Sequence, residues 1–109
     1  DGYGELYLDT HMYRGNYKDD KKEGFGIYFC YNPIKAYIGM WKHGKQHGLG
    51  KVLTSKNSMF SLWRDGKKRK WYSKSNDPEL KILLEKCFYI FINHNNVAST
   101  NFYNFFESF

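Results

Sequence analysis

Tyr13-Arg-Gly15-Asn-Tyr17 followed by Gly24-Phe-Gly26, and Tyr37-Ile-Gly39-Met-Trp41 followed by Gly48-Leu-Gly50, are two versions of one pattern. The second begins 24 residues after the first, and in both the Gly-x-Gly pair starts seven residues beyond the second ring. A pattern that recurs at such an interval is a repeat unit, and repeat units build extended binding surfaces. The chain is therefore read first as a scaffold rather than as an active site.

Degraded copies flank the two clear ones. Placing Trp63-Arg-Asp-Gly66 on Trp41-Lys-His-Gly44 gives a shift of 22 residues, with Met59 opposite Tyr37 and Ser61 opposite Gly39. That copy then fails, because Lys70 and Tyr72 stand where Gly48 and Gly50 would fall. Upstream, Gly2-Tyr-Gly4 matches the second half of a unit whose first half is missing. The count is two full units and two partial ones. Because the sequence opens with Asp inside a unit, it reads as an excised or processed fragment, with more of the array expected ahead of Asp1.

Residues two apart in a strand share a face, so Tyr13, Gly15 and Tyr17 lie together, as do Tyr37, Gly39 and Trp41. His43-Gly44 and Asp65-Gly66 are two-residue hairpin turns, in which glycine supplies the positive φ. Each return strand begins with Gly-x-Gly, where the missing side chains let a ring from the facing strand lie flat on the backbone. Each unit is then a β-hairpin that stacks on the next. Asp19-Asp20 replaces the glycine turn of the first full unit, which predicts a wider loop there. Tyr31-Asn-Pro33-Ile-Lys35 predicts a longer link between units, with Pro33 excluding a central strand at that point.

The residues Tyr37 to Gly50 resemble the MORN repeat (membrane occupation and recognition nexus), whose pattern runs roughly Tyr-x-Gly-x-Trp-x-x-Gly-x-x-His-Gly-x-Gly; they match at every position, His47 included. Tyr13 to Gly26 departs only at Tyr17 for Trp, Asp20 for Gly and Glu23 for His. The resemblance covers about residues 1–72. It implies an elongated, single-layer, twisted antiparallel sheet with an aromatic-lined groove. The fold class expected is thus mainly β with a C-terminal α part.

That α part begins where the glycines stop. Asp77-Pro78-Glu79 reads as a helix start, with an N-cap, a proline in the first turn and an acid facing the helix dipole. Leu80, Leu83, Leu84, Cys87, Phe88 and Phe91 recur at spacings of three and four, predicting a helix over about 78–92. A second helix is predicted over about 100–109, with Phe102, Phe105, Phe106 and Phe109 on one face. Neither run reaches the roughly 20 apolar residues that span a bilayer. The simplest role for this segment, residues 75–109, is a cap over an end or face of the sheet in residues 1–72; the alternative is a helix face that docks on another chain.

Net charge is +6, and its placement matters more than its size. Arg64, Lys67, Lys68, Arg69, Lys70 and Lys74 crowd one predicted hairpin, with only Asp65 opposing them. This is either a solvated hairpin tip or an attachment site for anionic lipid, phosphoinositides included. Nucleic acid is not expected, since no motif for it is present. Cys30 and Cys87 lack the spacing of a metal or redox pair, and a reducing cytoplasm is the expected compartment. His43 and His47 lack a third ligand, so no metal and no cofactor are expected. No nucleophile with its base, phosphate loop or carboxylate pair is discernible, and the chain is read as non-enzymatic. The wealth of Lys, Asn, Tyr, Phe and Ile hints at an AT-rich eukaryotic parasite genome.

The leading functional expectation is a protein-binding scaffold. Its groove, lined by Tyr13, Tyr17, Tyr37, Trp41 and Trp63, would take a peptide or helix from a partner or from a second copy, with the phenylalanine face as a further contact. The same rings, Tyr13 and Tyr37 above all, serve equally well to hold adjacent hairpins together. What the resemblance implies beyond this is a cytoplasmic setting, cortical or membrane-associated, often linked to the cytoskeleton. Service as a regulatory module of a larger enzyme is the remaining alternative.

Overall fold

The computed structural model describes residues 1–74 and 76–94, with side chains up to Cys87. Seven strands follow one another along the chain: β1 Gly2–Tyr7, β2 His11–Lys18, β3 Lys21–Tyr31, β4 Ile34–Lys42, β5 Lys45–Thr54, β6 Ser58–Arg64 and β7 Lys67–Tyr72. They form one open antiparallel sheet in sequence order, as successive hairpins must. One helix, α1 Pro78–His94, follows. It runs two residues past its expected end. The helix predicted over 100–109, with Phe102, Phe105, Phe106 and Phe109, lies outside the described residues.

The registers explain why glycine recurs. Gly4 faces Gly15, Gly15 faces Gly26, Gly26 faces Gly39, and Gly39 faces Gly50. Ser61 and then Trp71 complete this row across all seven strands. The side-chain-free row is a shelf on one face of the sheet, and the rings of Tyr13 and Tyr37 lie on it. A Cβ at Gly26 would meet Tyr13 Cε1 and Cζ at 2.5 Å, and one at Gly50 would fall inside the Tyr37 ring. The tyrosine hydroxyls reach across the shelf to donate to backbone carbonyls: Tyr13 to Asn16 at 3.1 Å, and Tyr37 to Met40 at 2.8 Å.

Between the shelf and the hairpin turns each full unit carries a β-bulge. Gly15 pairs with Gly26 but Tyr17 pairs with Lys22, so β3 holds two more residues than β2 over that interval. Gly39 with Gly50 and Trp41 with Gln46 repeat this in β4 and β5. Gly24 and Gly48 sit in the bulges at φ of 76° and 95°, values an L side chain resists. In the last unit Arg69 stands in the bulge, and it does not take a positive φ. There the register slips by a single residue, between Leu62 with Lys70 and Trp63 with Lys68.

That shorter bulge corrects the sequence alignment. Trp71, not Tyr72, stands where Gly50 stands in the preceding unit, because Ser61 pairs with Trp71. A one-residue slip moves every later side chain to the other face. Tyr72 therefore joins the row Ile27, Ile38, Lys51 and Phe60 on the face opposite the shelf.

Two further expectations are overturned. The Asp19-Asp20 loop is no wider than the others: it is the same two-residue turn, with φ of 52° and 64° against 53° and 84° at His43-Gly44. Aspartate tolerates the left-handed region better than most side chains, so it substitutes for glycine here at modest cost. The link around Pro33 is not a longer loop either. Asn32-Pro33 is a two-residue turn, and the extra length goes into the ladder, where Cys30 pairs with Lys35 and Tyr31 with Ile34.

The sheet is apolar on both faces because residues of both parities in its strands are apolar, as in Tyr37-Ile38-Gly39-Met40-Trp41. On the shelf face Tyr13, Tyr37 and Trp41 form a buried cluster with Tyr17, Tyr28, Val52 and Trp63 packed around it. On the other face Ile38, Leu49 and Tyr72 pack with Leu80 and Cys87 of α1, flanked by Leu83 and Leu84. The helix thus covers one face, as a cap should. Asp77 caps it, accepting from the amides of Glu79 at 2.9 Å and Leu80 at 3.3 Å. Glu79 fastens its first turn to β7 by accepting from Lys70 Nζ at 2.7 Å and the Tyr72 hydroxyl at 2.8 Å.

Candidate functional site

The five rings expected to line a groove do come together. Tyr17, Tyr13, Trp41, Tyr37 and Trp63 form a continuous edge-to-face chain, with successive centroids 5.3, 5.4, 5.2 and 5.5 Å apart. Each such contact contributes about 0.5–1.5 kcal/mol beyond burial. Tyr13 and Tyr37 are 1% and 3% exposed, and Trp41 is 8% exposed. These three are interior: Trp41 donates its indole N–H to the Gly26 carbonyl at 3.2 Å, and burial pushes the Tyr13 and Tyr37 hydroxyls well above the ordinary phenol range. Of the five, only Tyr17 and Trp63, at the two ends of this row of rings, remain half-buried with ring surface open to solvent. Trp63 donates to Ser61 Oγ at 2.8 Å.

The position that is His47 in one unit and Glu23 in the other has a structural duty. Glu23 Oε1 accepts from the His43 amide at 3.1 Å, and His47 Nδ1 accepts from the Asp65 amide at 3.3 Å. Asp1 accepts in the same way from the Asp19 amide at 2.8 Å. An acceptor just ahead of each bulge thereby ties one turn to the next, and no metal is needed to account for His47. Among the described residues no group of three or more His, Cys, Asp or Glu is placed to hold a metal ion.

An opening among the described residues lies on the other face. A cleft of about 780 Å³ runs between α1 and the bulged end of the sheet. Met40, Leu49, Leu62 and Leu83 give it an apolar lining, and Lys18, Lys42 and Lys86 stand around it with Asp1 and Glu23. Cys87 borders it too; burial pushes that thiol up to about 11, so it is a packing residue rather than a nucleophile. A neighbouring opening of about 710 Å³ adds Trp63, Arg64 and Arg69. The sequence reading missed this cleft, although the signal for it was the apolar residues that alternate with the conserved-spacing rings: Ile38 and Met40, Leu49, Leu62.

Of the six basic residues expected at one hairpin, Arg64, Lys67, Lys68, Arg69 and Lys70 lie on the β6–β7 hairpin and Lys74 just beyond it, with different neighbours. Lys70 is committed to Glu79 on the helix side, which lowers that carboxyl through its hydrogen bonds. Lys68 lies over the Trp71 ring, 4.4 Å from its centroid. Arg64 and Arg69 border the second opening, while Lys74 lines a smaller one beside Lys51 and Tyr72. Lys67 follows the turn and is exposed. The two cysteines are free, Cys30 half-buried and Cys87 buried. No helix among the described residues is long and apolar enough to cross a membrane.

A one-layer sheet of stacked hairpins, of which the two full units carry a tyrosine on a glycine shelf and a glycine bulge, defines the class: a hairpin-repeat protein. The family model described as MORN repeat matches residues 13–32 and 37–58, the two units whose registers coincide, which is consistent with a MORN-repeat protein. Such repeats are consistent with a non-catalytic module that binds protein or membrane.

Proposed function

We propose that this chain is a non-catalytic scaffold module that holds a peptide or helix of a protein partner. It would serve in a cytoplasmic assembly close to a membrane or the cytoskeleton. The observation that supports the reading is the open cleft beside α1, apolar within and bordered by Lys18, Lys42 and Lys86 together with Asp1 and Glu23. It is large enough to accept several side chains, and its rim of both signs suits a partner segment that is apolar on one face and polar at its edges. The exposed ends of the ring chain, Tyr17 and Trp63, flank the same end of the sheet.

Leu83→Glu places a charge on the wall of the cleft, at a residue that is only half-buried. Partner capture should fall at least tenfold while the strand signal in circular dichroism persists; Ile82→Glu, on an exposed helix position, should leave capture unchanged. Equal capture by both variants removes the cleft as the site.

A second reading rests on Trp71, which is 60% exposed beside Lys67, Lys68 and Arg69 on β7. An exposed indole next to cations suits an anionic lipid surface, to which each nearby basic residue contributes about 1 kcal/mol. Vesicle binding that requires anionic lipid, weakens with salt and is lost in Trp71→Ala supports it. Binding indifferent to lipid charge ends it.

A further inference from the structure

Between Tyr37 and Trp63 the shelf face has a corner with the walls of a cation seat. We infer that it takes the ammonium of a lysine carried by a protein partner, because the chain seats lysines of its own at the matching positions on either side.

The matching positions are set by the backbone. Lys22, Gln46 and Lys68 each pair with the last ring of the strand before them, which is Tyr17, Trp41 and Trp63 in turn. The Lys22 carbonyl accepts from the Gly44 amide at 2.9 Å, and the Gln46 carbonyl accepts from the Gly66 amide at 2.8 Å. Lys22 and Gln46 thus hold the same place in successive units, on the face that carries the rings.

The corners beside these two residues have the same walls. Tyr13 and Trp41 meet at 87° with centroids 5.4 Å apart, while Tyr37 and Trp63 meet at 85° with centroids 5.5 Å apart. In the first corner Lys22 Nζ lies 5.2 Å from the Tyr13 centroid and 5.6 Å from that of Trp41. Lys68 likewise stands over an indole, that of Trp71, at 4.4 Å. Ring faces turned toward an ammonium hold it through their quadrupoles. Gln46 is shorter than lysine and carries no charge, so the corner of Tyr37 and Trp63 has the walls without a cation from this position.

Access differs in the direction this requires. Trp41 is closed in by Tyr13 on one side and Tyr37 on the other. Trp63 ends the row and keeps ring surface open to solvent, with Gln46 half-buried beside it. The source of the lysine follows from the protein-binding reading, whereas the seat itself is separate from the cleft beside α1 and is tested without it.

The probe is an acetylated and amidated Gly-Lys-Gly peptide, titrated into the full chain at constant ionic strength to about 100 mM, where a lone seat of this kind fills. The reporters are the indole N–H resonances of Trp41, Trp63 and Trp71, the three tryptophans of the chain. The Trp63 signal should shift along a saturating curve and by at least about five times as much as that of Trp41, whose corner Lys22 already fills. The same peptide with its lysine Nε-acetylated should move Trp63 by about a tenth as much. Gln46→Lys should supply the cation from within. Its Trp63 signal should start displaced in the direction the peptide moves it, and the response to peptide should fall about fivefold. Equal shifts from the charged and acetylated peptides, equal shifts at Trp41 and Trp63, an undiminished response in Gln46→Lys, or no saturating shift at Trp63 each overturns the inference. So does a Trp63 shift that follows protein concentration instead of peptide, which gives the seat to a second copy of the chain.

Discussion

Gly26→Ala tests whether the glycine shelf is required by the tyrosines or merely tolerates them. A Cβ at this position would lie 2.5 Å from Tyr13 Cε1 and Cζ, roughly 1 Å inside ordinary carbon contact. The ring cannot tilt away freely, because Tyr17 and Trp41 meet it edge to face at 5.3 and 5.4 Å and its hydroxyl is tied to the Asn16 carbonyl. Overpacking of a tight site costs about 1–3 kcal/mol. Weakening one hydrogen bond adds about 1 kcal/mol. The expected loss is therefore about 3 kcal/mol, or close to 2 M in the urea midpoint for a slope near 1.5 kcal/mol/M. Gly24→Ala is the control, with nothing nearer than 3.6 Å, so that only its positive φ opposes a side chain. It should cost about 1–2 kcal/mol. Tyr13→Ala alone should cost about 3–5 kcal/mol, and adding Gly26→Ala to it should cost almost nothing more. Urea unfolding followed by tryptophan fluorescence and far-ultraviolet circular dichroism supplies all four values. If Gly26→Ala costs under about 1 kcal/mol, or if the two substitutions add, the ring does not depend on the shelf and the reasoning is wrong.

Three other outcomes follow from the turns and from the buried acids. Asp20→Gly removes a strained side chain at φ of 64° and should stabilise by about 0.5–1 kcal/mol, seen as a higher urea midpoint at unchanged slope; a loss of stability would mean that Asp20 makes a contact worth more than the strain. At high pH the folded chain should weaken. Burial raises the Cys87 thiol to about 11, while burial and the hydrogen bond to Glu79 raise the Tyr72 hydroxyl to about 12; Tyr13 and Tyr37 lie higher still. A folded pKa above the unfolded one holds the proton more tightly in the native state, so this stability is complete below the unfolded value and is lost as pH climbs toward the folded one. For Cys87 the decline should begin near pH 9 and run to about 11. A thiol reagent at pH 8 should modify Cys30 well before Cys87, and equal rates would show that α1 does not seal its face.

The hairpins were legible because each device behind them is a local one. A dipeptide such as His43-Gly44 states its turn type, and Tyr37 with Gly39 and Trp41 states a face. The cap Asp77 announced the helix start for the same reason. What escaped the sequence depended on register. Asp19-Asp20 looked like a broken turn because the tolerance of aspartate for positive φ is weaker than that of glycine and carries no spacing signal. Placing Trp71 rather than Tyr72 at the Gly50 position required knowing the size of the last bulge, which is set by pairing across strands. The binding reading of Tyr13, Tyr37 and Trp41 failed to separate interior from surface, since a ring that packs on its neighbour and a ring that waits for a partner have the same letter and spacing. The cleft was hidden for a related reason: it is made by α1 meeting Met40, Leu49 and Leu62, and no linear pattern says which face a helix will choose.

The small bulge at Arg69 gives the sheet something like a reading frame. Every unit up to β6 hands the next strand the same phase, and a single missing positive-φ residue shifts that phase by one. Downstream of the shift, the alternation that would place glycine under tyrosine instead sends Trp71 to the shelf side and Tyr72 to the helix side. Termination is thus written as a frameshift in side-chain parity, and the residue it displaces is the one that helps fasten the cap.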